Sequence, residues 1–147
     1  MNESLTTLID SHRILVVGDI MLDRYWSGSV TRISPEAPVP VVPVDSVTER
    51  VGGAGNVAAN IRSIGAQCCL LSIVGDDASG RLLNSLLAES GVDRYLHIDT
   101  ENRTTEKLRV VSQNQQLIRV DFEGAPSVSL TECVLDDYER LLAGVSV

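Results

Sequence analysis

Val-Gly-Gly-Ala-Gly-Asn-Val-Ala-Ala-Asn, residues 51–60, places Gly52, Gly53 and Gly55 ahead of small, helix-compatible side chains. Lacking a Cβ, these positions let the backbone turn tightly and let another group come close to the main chain. The helix that follows opens with N–H groups that have no partner within it, and with a partial positive charge. Such a turn can cradle a polar ligand or can simply lead the chain into a helix. The flanking sequence has to decide between the two.

Upstream, Ile14-Leu-Val-Val17 ends on Gly18. A branched apolar run of this length is a strand buried on both faces, as in a parallel sheet. Asp19 and Asp23 follow it. Ligands of open α/β sheets gather at the carboxyl ends of strands, so both are candidates, with a turn cap as the competing role. Between them and the glycines, Pro35, Pro38, Pro40 and Pro43 break a valine-rich run, Val39 to Val47. Proline donates no ladder hydrogen bond, so this segment predicts a peripheral strand.

Downstream, Val57, Ile61 and Ile64 stand at helical spacing and Gly65 ends the run. A second buried strand, Cys68 to Val74, is closed by Gly75-Asp76-Asp77. A helix follows with Leu82, Leu83, Leu86 and Leu87 on one stripe and Gly91 at its stop. Strand, glycine turn, helix, strand, helix is the βαβ rhythm of a parallel sheet. From Tyr95 the period becomes two. Lys107 and Arg109 oppose Leu108 and Val110, and Arg119, Asp121 and Glu123 alternate with Ile118, Val120 and Phe122. With the polar turn 112–115 between them, these runs predict an antiparallel hairpin with one wet face. Lys107, Arg109 and Arg119 would either meet an anion there or pair with Asp121 and Glu123. Ser129-Leu-Thr-Glu132 reads as a capping box for a last helix, with Val134, Leu135, Tyr138, Leu141 and Leu142 as its apolar face. Val145-Ser-Val147 reads as the start of a further strand, so the chain is expected to be the N-terminal part of a longer protein. Leu5, Leu8 and Ile9 form a short amphipathic lead.

The composition suits one domain: 147 residues, 44% hydrophobic and 22% charged. A net charge of −8 argues against nucleic acid as a partner. Cys68, Cys69 and Cys133 fit no metal spacing or disulfide framework and are expected to be buried free thiols. No apolar run has the length of a membrane span and no secretory leader is evident, so a cytoplasmic protein is expected. Gly53-x-Gly55-x-x-Ala58, with Asp76 further on, imitates a dinucleotide fingerprint. That motif needs a clean buried strand just upstream, and Asp45 to Val51 is half polar.

Five segments together carry a resemblance. They are Val-Val-Gly-Asp-Ile-Met-Leu-Asp-Arg-Tyr-Trp (16–26), Arg-Ile-Ser-Pro-Glu-Ala-Pro-Val-Pro-Val (32–41), Gly-Gly-Ala-Gly-Asn (52–56), Lys-Leu-Arg-Val (107–110) and Asn-Gln-Gln-Leu-Ile-Arg-Val-Asp-Phe-Glu (114–123). The chain from 13 to 123 resembles the ribokinase (PfkB) sugar-kinase family. The Gly-Gly stretch is family-wide, whereas the runs Asp-Arg-Tyr-Trp (23–26), Ile-Ser-Pro-Glu-Ala-Pro-Val-Pro (33–40) and Asn-Gln-Gln-Leu-Ile-Arg (114–119) are similar to its bacterial heptose 7-phosphate kinase branch, the kinase part of bifunctional ADP-heptose synthases.

The resemblance implies a ribokinase-like α/β fold: a parallel central sheet with helices on both faces and a small antiparallel β lid, its strands at about 25–51 and 95–123. The chain would stop after the third main helix. Asp23 takes the place of the family's sugar-hydroxyl acceptor, and Gly52, Gly53 and Asn56 match its sugar-binding glycine motif. Lys107, Arg109 and Arg119 become candidates for the sugar's own phosphate, since guanidinium grips phosphate bidentately. The family's catalytic base and Mg²⁺-organising segment lie in a C-terminal half absent from these residues, so no catalytic residue is assigned here. The implied reaction is ATP- and Mg²⁺-dependent phosphorylation of a heptose 7-phosphate, with homodimerisation through the lid and lipopolysaccharide core synthesis as the setting. A family member acting on another sugar or a nucleoside, and a non-catalytic binding or dimerisation module, are the alternatives.

Overall fold

The computed structural model describes residues 12–145. The amphipathic lead at 5–9 and the end of the anticipated last strand lie outside them. In chain order the elements are β1 (Arg13–Val17), β2 (Ile20–Gly28), β3 (Arg32–Ile33), β4 (Pro40–Val41), β5 (Val44–Gly53), α1 (Ala54–Ser63), β6 (Gln67–Gly75), α2 (Ala78–Glu89), β7 (Asp93–Asp99), β8 (Glu106–Ser112), β9 (Gln115–Phe122) and α3 (Val128–Leu142).

The parallel sheet has the order β1-β6-β7, with β6 in its centre. Successive residues of a strand point to opposite faces, and β6 is apolar on both. On one side Cys68, Leu70 and Val74 pack with Ala58 of α1, Leu83 and Leu87 of α2, and Ile20 and Leu22 of β2. On the other, Cys69 and Leu71 meet Leu141 of α3, with Leu15, Tyr95 and Val134 around them. Helices therefore cover both faces, as the sequence implied. Cys68 and Cys69 are buried free thiols as expected, and burial pushes Cys68 up to about 11. Cys133, expected to be buried, is exposed on α3.

A second sheet has the order β5-β2-β8-β9. The pairs β2–β5 and β8–β9 are antiparallel, but β2 and β8 run parallel along the seam between them. The sequence reading gave a small antiparallel sheet, as two of its three pairings are; the parallel seam joins strands far apart in the chain and leaves no local trace. Its strands also begin elsewhere than anticipated. β2 enters at Ile20, since Ile20 and Leu22 are claimed by the main core, and β7 joins the central sheet, leaving 106–122 to the small one. The polar turn behaves as predicted, with Gln113 and Asn114 both at positive φ, 48° and 66°. That is the conformation a two-residue hairpin needs to follow the strand twist.

Two helix readings change. In α1 the buried residues are Gly55 and Ala58, while Val57 and Ile64 are 50% and 56% exposed. A Cβ on Gly55 would lie 2.3 Å from Val51 Cγ1 and 3.0 Å from Ile20. The helix comes down so closely that only small residues fit beneath it, and its branched ones turn outward; Ile61 alone of the predicted stripe packs on the core. In α3 the cap is Ser127, two positions before the predicted box, and no side-chain capping bond forms. The buried Asp99 carboxylate accepts the Ser127 N–H at 3.2 Å and so starts the helix early.

Candidate ligand-binding site

The turn from β1 to β2 and the turn from β5 into α1 close on each other. The Ala54 N–H, first of α1, donates to the Asp19 carbonyl at 2.9 Å, so this N–H is not left for a ligand. Gly53 stands at φ 59°, ψ −138°, and a Cβ on it would lie 2.3 Å from the Asp19 oxygen. Gly52 is glycine for a different reason. A Cβ there would meet Asp23 Oδ2 at 2.5 Å and Met21 Cγ at 2.8 Å. The carboxylate thus lies directly over the Gly52 backbone.

Asp23 is the fourth residue of β2, within the second sheet and not in the loop after β1 where it was expected. Its other oxygen, Oδ1, accepts from the Arg109 guanidinium of β8. The two side chains are about one-fifth exposed, and the carboxylate pushes the Arg109 pKa up. One oxygen is thereby fixed and the other lies against Gly52, an arrangement that lets the carboxylate accept a hydroxyl hydrogen bond in one orientation. Tyr25 lies next along the same face, its ring under Arg109 Cζ at 5.1 Å and Arg50 Cζ at 5.8 Å.

The other basic candidates sit on this face but are engaged. Lys107 Nζ lies between Glu123, 2.7 Å, and Asp121, 3.2 Å, and these bonds raise its pKa. Arg119 Nε is 2.9 Å from Asp121. Burial of Asp121 would raise its carboxyl, but hydrogen bonds from Lys107 and Arg119 outweigh that and hold it below the usual range. Asn56 lies in the first turn of α1, exposed, with no side-chain hydrogen bond among the described residues. The geometry thus joins Asp23, Gly52 and Arg109 and sets Gly53 beside them.

A cleft of about 530 Å³ opens at the carboxyl ends of β1 and β6. Asp19, Met21, Arg103, Thr104 and Glu123 are among its lining residues. Met21, touching Gly52, and Glu123, bonded to Lys107, make it continuous with the polar face of the second sheet. Its wall is braced by Asp77, whose carboxylate accepts from the Gly80 N–H and from both the N–H and hydroxyl of Thr104, each at 2.8 Å. Burial would raise Asp77, but these donors lower it overall. Asp76, the acid of the imitated dinucleotide fingerprint, instead pairs with Arg81 on the surface. Arg50, Tyr25 and Arg103 were missed by the sequence reading. Arg50 carries a signal in hindsight, since it lies two residues before Gly52 in a strand of period two. No group of three or more His, Cys, Asp or Glu side chains among the described residues could hold a metal ion, and no helix among them is long and apolar enough to cross a membrane.

Residues 11–143 match the pfkB family of carbohydrate kinases. The chain is 49% identical over 143 residues to the D-beta-D-heptose 7-phosphate kinase of Bordetella bronchiseptica, covering 97% of this chain and 46% of that protein. It is 51% identical over 137 residues to the bifunctional protein HldE of Coxiella burnetii, covering 93% of this chain and 29% of the relative. It therefore spans less than half the length of these curated relatives. Among solved structures, a carbohydrate kinase from Agrobacterium tumefaciens superimposes with a TM-score of 0.64 at 23% identity, over 75% of this chain and 35% of the other. A fructokinase with bound ATP from Xylella fastidiosa gives 0.58 at 18%, over 76% and 33%. These last two likenesses bear on the fold, and the sequence matches go further: the chain belongs to the pfkB family of carbohydrate kinases.

Proposed function

We propose that this chain is the sugar-binding and lid portion of a kinase that phosphorylates D-glycero-D-manno-heptose 7-phosphate to the 1,7-bisphosphate, in a cytoplasmic route to ADP-heptose and the lipopolysaccharide core. The observation that carries the reading is the Asp23 carboxylate, one oxygen held by Arg109 and the other laid over a glycine that leaves room for it. The names of relatives about half identical to the chain supply the substrate.

In this reading Asp23 accepts hydrogen bonds from ring hydroxyls and sets the sugar's orientation, while Arg109 holds the carboxylate stationary. The missing side chain at Gly52 gives the Asp23 carboxylate the room that it occupies. The second sheet acts as the lid, excluding water from the cleft below it. ATP supplies the transferable γ-phosphoryl, with Mg²⁺ as its counter-charge. The catalytic base and nucleotide groups are assigned to the part of the kinase that the relatives carry beyond the matched span.

Calorimetric titration of the heptose 7-phosphate into this chain and into Asp23→Ala tests the reading. Saturable binding that weakens about tenfold or more in the variant is expected, from the loss of a charged hydrogen-bond acceptor. Equal binding by both proteins removes Asp23 from the site, and ATP-dependent turnover by the chain alone overturns the division of labour.

Homodimerisation belongs to the same proposal. The lid face opposite Asp23 carries an apolar strip in register, Val47, Trp26, Val110 and Ile118. Val47 and Ile118 are 54% exposed and Trp26 37%, a patch of the kind that marks interfaces. Sedimentation equilibrium should give twice the chain mass, reverting to a monomer in Trp26→Glu. A wild-type monomer at every concentration would remove the dimer.

A further inference from the structure

Four cations share the polar face of the second sheet, and three are already matched. Arg109 bonds to Asp23, Lys107 to Asp121 and Glu123, and Arg119 to Asp121. An incoming phosphate would have to displace a carboxylate from each of them. Arg50 differs: it makes no ion pair with any described residue and is exposed. Yet it stands directly opposite Asp23 in the β2–β5 ladder, where facing side chains lie about 5 Å apart on the same side of the sheet. Asp23 is drawn across to Arg109, and Arg50 lies instead over the Tyr25 ring, 5.8 Å from its centroid.

Tyr25 thus carries a guanidinium on Arg109 and another on Arg50. A guanidinium held over a ring keeps its N–H edges free for a planar, bidentate partner. The charge balance points the same way: Asp23 neutralises one arginine, and the second leaves a positive excess beside the sugar-orienting carboxylate. We infer that Arg50 is the residue that recognises the phosphate already borne by the sugar and so separates a sugar phosphate from the free sugar. This deepens the proposed function and rests on it. A sugar hydroxyl on Asp23 Oδ2 brings the phosphate-bearing end of the same molecule beside Arg50, one strand away.

The test is titration of D-glycero-D-manno-heptose 7-phosphate, and separately of the unphosphorylated heptose, into the wild-type chain, Arg50→Ala and Arg50→Lys. Arg50 is exposed, so thermal midpoints are expected to stay together. Arg50→Ala should bind the phosphorylated sugar about tenfold or more weakly, while its affinity for the free heptose stays within about twofold. Arg50→Lys should recover part of the loss, because an ammonium restores the charge but not the two-pronged grip. Unchanged affinity of Arg50→Ala for the sugar phosphate, or an equal loss for both sugars, overturns the assignment while leaving the kinase reading intact. Failure of the wild-type chain to bind either sugar overturns the sugar-site reading itself and this assignment with it.

Discussion

Gly52 and Gly53 are neighbours that resist substitution for separate reasons, and the two can be told apart. At Gly52 the obstacles are the ends of the Asp23 and Met21 side chains, which can swing aside at the expense of the site. At Gly53 the obstacle is the Asp19 main-chain oxygen, together with a positive φ of 59°. Gly53→Ala should therefore lower stability by at least about 1–3 kcal/mol, seen as a fall in the calorimetric midpoint, whereas Gly52→Ala should affect sugar binding before stability. A Gly53→Ala midpoint equal to wild type would remove the steric argument. At this scale the sequence was informative about glycines and acids and poor about bases. Gly52 stands out as part of a glycine run ahead of a helix and Asp23 as an acid soon after a buried strand, but Lys107, Arg109 and Arg119 look alike in one dimension. Only the strand register shows that Arg109 faces Tyr25 while Lys107 faces Asp121, and that Arg50, outside the hairpin altogether, comes to the same place.

Between elements, three strands of the second sheet are tied to one another and to α2 by a partly buried polar chain. Arg24 of β2 reaches Glu49 of β5 and Glu106 of β8, each at 2.8 Å, and Glu106 also accepts from the Ser79 hydroxyl of α2 at 2.8 Å. The Glu106 side chain is only 8% exposed, and on it strands of the second sheet and the start of α2 converge. Removing its charge leaves Arg24 half matched, so Glu106→Gln should destabilise the chain by about 1–3 kcal/mol in urea denaturation. An unchanged midpoint would mean that the apolar contacts of Ile20 and Leu22 hold the sheets together unaided. The βαβ rhythm and the hairpin were legible because both are local patterns of period and punctuation. Which face of α1 lies down was not, since a close approach over Gly55 inverts the usual preference for burying large residues.

For the molecule as a whole, the acid limb of stability falls on a few carboxylates. Asp77, Asp99, Asp121 and Asp137 all have pKa values lowered below 3.8. A carboxyl lowered on folding stabilises the folded state fully above its unfolded value and ceases to do so as pH falls through the lower folded value. Stability should thus hold from neutrality down to the ordinary carboxylate range and decline as pH falls below it. In Asp77→Asn, which lacks the ionised brace between Thr104 and Gly80, the decline should be shallower; an identical slope would show that Asp77 takes no part. The parallel seam between β2 and β8 has a consequence of another kind, in time. It brings together residues such as Arg24 and Glu106, 82 positions apart, with β6, both of its flanking helices and β7 threaded between them. Such distant closure is slow until the intervening chain has condensed. The amides of β6 should gain protection from exchange before those of β8 during refolding, so that the face carrying Asp23 and Arg109 is completed late.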